Sequence, residues 1–125
     1  MGTILSGLGA SDNNTSDYMV VKSARCFSIG PTGRGGSPSH EENAFRAILR
    51  GSASREHFIS LVSSASLAGQ LYALLGLKLL KDPAFDRNID KYLVLPTEVE
   101  TMSGCIVERT TAKSIAKSIR KGKYK

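Results

Sequence analysis

The chain has 125 residues, with 17 Lys and Arg against 11 Asp and Glu, two His, two Cys and no Trp. That length suits one sizeable core and is too short to expect two. The net charge of +6 would suggest a basic surface throughout, but Met1 to Ala112 carries 11 cations and 11 anions, so the surplus is confined to Lys113, Lys117, Arg120, Lys121, Lys123 and Lys125.

Residues 1–17 are rich in Gly, Ser, Asn and Asp and read as a flexible N-terminal arm, followed by a single globular helical domain over 18–125. The first ten residues lack a basic n-region and a long apolar run, so a signal peptide is not indicated; that fits a cytoplasmic location, but an exported protein without its leader would read the same, and the location is left open. Gly2 and Ser6 fit a short myristoylation pattern, but no early basic cluster supplies the second signal that stable anchoring needs.

Tyr18 to Ile29, bounded by Asp17 and Gly30-Pro31, is the best strand segment. Its alternation is imperfect, because Val21, Ala24, Cys26 and Ile29 do not share one parity, and an extended segment laid over helices fits it equally. A Gly-rich loop over 30–39 reads as a linker. Ser39-His-Glu-Glu42 then forms a capping box, in which Ser39 and Glu42 satisfy each other's free N–H groups. The helix it opens reaches about Arg50, buries Ala44, Phe45, Ile48 and Leu49, and closes on Gly51 as a left-handed cap. A second helix follows Ser54 and buries Phe58, Ile59, Leu61, Val62 and Ala65.

Ser66 to Leu80 is the stretch around which the rest must be organised. Leu67, Leu71, Leu74, Leu75 and Leu79 recur at helical spacing, and Ala68, Ala73, Leu77 and Leu80 fill most of the remaining circumference, so this is the buried central helix. Ser66 is its cap, and Gly69 and Gly76 leave room for a neighbour to approach closely. Gln70 and Lys78 interrupt it short of the roughly 20 apolar residues a membrane span needs. Asp82-Pro83 starts a fourth helix with Ala84, Phe85, Ile89, Tyr92 and Leu93 on one face. Thr97 to Glu100 is expected to open a short helical turn. Cys105-Ile106-Val107 reads as a short strand able to pair with Val20 to Phe27. Thr111 caps a last helix with Ala112, Ile115, Ala116 and Ile119 as its apolar stripe, opening the basic C-terminal helix and tail at 112–125.

Chemistry-bearing residues are few. Gly30-x-x-x-x-Gly35-Gly36-Ser37 resembles a phosphate-cradling loop in spacing, but Gly36 stands where the lysine belongs, so no cofactor is expected. His40 and His57 each read as surface residues, and Ser60, Ser63, Ser64 and Ser66 lack an arranged base. Cys26 and Cys105 show no metal-ligand spacing and are the candidates for a disulfide, which would close a loop of about 80 residues and add roughly 4 kcal/mol. Such a bond would instead point to an exported protein whose leader had been removed. Each cysteine lies in a segment of extended character, so the two are expected to be close in space. Lys113, Lys117, Arg120 and Lys121 flank an apolar stripe, which suits a helix docked on the body with its charges toward an anionic partner.

The resulting expectation is a mainly α fold, a compact bundle or stacked hairpins of four to five helices, with an N-terminal extended segment and one short β pairing. Such a domain without a catalytic constellation reads as a non-enzymatic protein-binding module, of the immunity or inhibitor type that neutralises a partner by covering its site. The alternative is a small basic nucleic-acid-binding protein acting through its C-terminal tail.

Overall fold

The computed structural model of the chain describes residues 16–30, 38–103 and 106–124. Helix α1 spans residues 16–22 and is followed by strand β1 (Cys26–Phe27). Then come α2 (His40–Arg50), α3 (Ser54–Ser64), α4 (Leu67–Leu79) and α5 (Pro83–Leu93). Strands β2 (Glu98–Ser103) and β3 (Ile106–Thr111) and helix α6 (Ala112–Arg120) complete the order. The fold is mainly α with a small three-stranded sheet, and no described helix is long and apolar enough to cross a membrane.

Helix α4 is the centre of the core. Leu71, Tyr72, Ala73, Leu74, Leu75 and Leu77 are wholly buried, because α2, α3, α5, α6, β1 and β2 all pack against it. Its cap is Ser66, whose hydroxyl accepts from Gly69 N–H at 3.1 Å and donates to Ala24 O at 2.7 Å, tying α4 to the end of α1. The two glycines admit different neighbours. A Cβ on Gly69 would lie 2.2 Å from the Val21 carbonyl oxygen, and one on Gly76 would lie 2.4 Å from the Phe58 ring. Close approach therefore serves α1 at one end of the helix and α3 at the other.

The stretch from Tyr18 onward is where the expected strand gives way. Residues 16–22 are helical, with Val21 wholly buried and Ser23 N–H donating to Met19 O, and only Cys26 and Phe27 are strand. The mixed parity of its apolar residues reflects this change of period in mid-segment. The arm expected over 1–17 ends in helix, since residues 16 and 17 belong to α1, and residues 1–15 lie outside the described residues.

Thr97 to Glu100 is also corrected: Glu98–Ser103 is a strand, paired antiparallel with β3 from Glu98↔Thr111 to Ser103↔Ile106. β1 joins the other edge of β2 in parallel, Cys26 opposite Glu100 and Phe27 opposite Thr101. Ile106 and Val107 thus pair with β2 and not with Val20 to Phe27. β-branched residues and a glycine between two six-residue runs carried this hairpin signal in the sequence.

Three helix ends differ in detail. Ser39 Oγ accepts from Glu42 N–H as expected, but the Glu42 carboxylate, 5% exposed, turns instead to Gly30 N–H at 2.7 Å and to Arg46. Gly51 has φ −78° and ψ 162°, extended rather than left-handed, and its N–H closes on Ile48 O. Ala53 is the cap of α3 and makes no side-chain bond, while Ser54 is the first helical residue.

Candidate functional site

Helix α6 is positioned from both ends. Thr111 Oγ1 accepts from Ser114 N–H at 3.3 Å, and the amides of Ala112 and Lys113 donate to Thr97 O and Leu95 O. At the far end Gly122, with φ 78°, closes a left-handed cap in which Gly122 N–H reaches Ile119 O and Lys123 N–H reaches Ser118 O. Beyond it Tyr124 sets its ring edge-on to Phe27, the centroids 5.4 Å apart. Burial raises the Tyr124 phenol above its ordinary pKa, partly offset by Ser118. Ala112, Ile115, Ala116 and Ile119 are buried against the body, so the helix has one orientation.

That orientation turns Lys113, Lys117, Arg120 and Lys121 outward, and all four are exposed. At 3.6 residues per turn they fall within about 100° of arc and along about 12 Å of helix axis. None of them makes an ion pair among the described residues; the four ion-paired cation–anion contacts there belong to Arg46, Arg55 and Arg109. The structure thus brings together the four cations singled out in the sequence. Lys123, just past the helix end, is also exposed.

The amides at the start of α6 are already used, so its attraction for anions resides in these side chains. Tyr124, which follows the helix, is half-buried with its ring packed edge-on against Phe27, which makes it a poor stacking platform. Ser114 and Ser118 are the neutral polar groups of α6.

The other sequence candidates separate. Cys26 carries a free thiol that donates to Glu100 Oε1 at 3.8 Å. Burial, then the Glu100 charge, raises its pKa, which keeps sulfur protonated and poorly nucleophilic. Cys105 lies outside the described residues, as do residues 31–37 of the Gly-rich loop. The argument that placed the two cysteines together rested on a strand pairing that β2 takes instead.

His40 begins α2 and is exposed; His57 lies on α3, edge-on to Tyr18 with ring centroids 5.5 Å apart. Ser60 meets the Tyr18 hydroxyl at 2.6 Å, and this bond is the main cause holding the Tyr18 phenol below its ordinary pKa. The serine therefore has a phenol as its close partner and not an imidazole. Sequence reasoning missed this Tyr18–Ser60 contact because it treated residues 18–29 as a strand. No group of three or more His, Cys, Asp or Glu capable of holding a metal occurs among the described residues.

A groove of about 450 Å³ opens between Ala24, Arg25, Ser66 and the β2–β3 hairpin. Its lining includes Glu98 and Glu100, both ion-paired to Arg109, at 3.2 and 3.9 Å. The groove's charges compensate one another, in contrast to the α6 stripe. No protein-family model matches the chain, and no curated protein or solved structure matches it.

Proposed function

We propose that this protein is a non-enzymatic binding module and that the outer face of α6 contacts the phosphate backbone of duplex nucleic acid. The observation that carries the reading is the set of four exposed cations on one face of a seated helix, none of them ion-paired among the described residues. A surface cation that is not compensated within the molecule gains by displacing the counterions condensed on a polyanion, and this gain adds over contacts. A duplex presents the densest such array, one charge per roughly 1.7 Å of axis.

Tyr124 packs inward, so capture of single strands by base stacking has no support here. Contacts of Lys and Arg to phosphate oxygens carry no base information, so a contact confined to the backbone is independent of sequence.

The test is a titration of a short fluorescent duplex with the wild-type protein and with a variant carrying Lys113→Gln, Lys117→Gln, Arg120→Gln and Lys121→Gln. Binding at about 50 mM salt that the variant loses supports the reading. Equal binding by both proteins, or tighter binding of polyglutamate than of the duplex, sinks it. In the second case the stripe serves an acidic protein.

A further inference from the structure

We propose that the outer edge of β3 is a docking site for an extended segment of a different protein, taken up as a fourth, antiparallel strand with a Lys or Arg opposite Glu108. The site is separate from the α6 stripe. In the order β1-β2-β3 the outer edge of β3 has no hydrogen-bonded neighbour among the described residues. Such an edge presents a row of unpaired backbone donors and acceptors, and adding a strand satisfies them. Ile106 is 63% and Val107 52% exposed, large values for branched apolar residues. Adjacent strand residues point to opposite faces, so a strand laid along this edge would cover both.

The charges decide the occupant. Backbone groups alternate along a strand between its two neighbours, so residues directly opposite in an antiparallel pair must be of the same kind. A second copy of β3 related by a two-fold axis therefore sets one residue opposite itself. The two registers that pair five residues of Ile106–Thr111 are centred on residue 108 or residue 109. They place Glu108 against Glu108, or Arg109 against Arg109, and like charges directly opposite are destabilising. A copy of this chain is a poor partner.

Arg109 already has Glu98 at 3.2 Å and Glu100 at 3.9 Å across the hairpin. Glu108 sits opposite Thr101 and has no ion pair among the described residues. The uncompensated charge on the edge is thus a single carboxylate beside two exposed apolar residues. The complementary strand carries a cation opposite Glu108 and β-branched residues opposite Val107 and Ile106.

Two labelled peptides test this, Thr-Thr-Lys-Val-Ile and the same sequence with Glu for Lys, titrated by fluorescence anisotropy against wild type and Glu108→Lys. Wild type should prefer the Lys peptide by about threefold to tenfold, and Glu108→Lys should reverse the order. The Glu108→Gln variant should show a reduced preference, and substitutions on α6 should leave peptide binding unchanged. Slowed amide exchange confined to the β3 edge locates the contact. Failure of both peptides to bind, equal affinity of both peptides for both proteins, or sedimentation of the wild type as a β3-paired dimer overturns the proposal.

Discussion

One hydroxyl, that of Tyr72 on α4, serves both backbone polar groups of Ser28: it accepts from Ser28 N–H at 2.9 Å and donates to Ser28 O at 2.8 Å. The residue that follows β1 is thereby fastened to the central helix, and Ser28 Oγ continues the tie to β2 by donating to Met102 O at 3.0 Å. Tyr72 is wholly buried beside Phe27 and Phe45, so no solvent can replace its hydroxyl.

Tyr72→Phe should therefore cost more than an average hydrogen bond. It leaves a buried N–H and a buried C=O unsatisfied, and the expected loss is about 1–3 kcal/mol. Urea melts measure it; a loss below about 0.5 kcal/mol would mean that water reaches Ser28.

Alkaline pH should loosen the fold through the same residue. Burial pushes the phenols of Tyr72 and Tyr92 up to about 12 from the ordinary 10. The folded state then retains protons that the unfolded chain releases, so stability is full below about pH 10 and falls as pH rises toward 12. The loss is at most roughly 2–3 kcal/mol per phenol. Tyr18, held low by Ser60, acts in the opposite sense. Melting temperatures across this range should fall, less steeply in Tyr72→Phe; a flat profile in the wild type would contradict the burial of both rings.

The two glycines of α4 should differ under substitution. At Gly76 the obstruction is the Phe58 side chain, which can turn a little; at Gly69 it is the backbone carbonyl of Val21, which cannot move without shifting α1. Gly69→Ala should thus destabilise by more than Gly76→Ala, each by over about 1 kcal/mol despite the gain in helix propensity. Equal or stabilising effects, read from denaturant melts, would show that α1 is not seated on α4.

Leu74→Ala should lose about 2–5 kcal/mol, since Leu74 is wholly buried among residues that can collapse only partly into the space. A loss under about 1 kcal/mol would place that face at the surface.

Much of this core was legible because local signals and packing agree. Ser39, Ser66, Asp82 and Thr111 each accept the backbone N–H expected of a cap, and the leucine-rich run is the buried centre. The segments around Tyr18 and Thr97 were not. In residues 16–22 β-branched Val20 and Val21 favour extension locally, but docking of Val21 on Gly69 wins as helix. At Thr97 an acidic, threonine-rich run mimics a helix start, whereas β1 on one edge and β3 on the other fix it as a strand. The basic face of α6 could be read from spacing alone, because Lys113, Lys117, Arg120 and Lys121 oppose the apolar stripe. The free edge of β3 could not, because it depends on which strand takes the middle place.

The most direct measurement of the central claim is the salt dependence of duplex binding. Each phosphate neutralised contributes about −0.9 to the slope of log K against log salt, so four cations of α6 predict a slope of about −4 for the wild type. Replacing Lys113, Lys117, Arg120 and Lys121 with Gln removes all four contacts and should flatten it to near zero, while the melting temperature is unchanged. A wild-type slope near zero, or an equal slope in the two proteins, would contradict the assignment of α6 as the binding face.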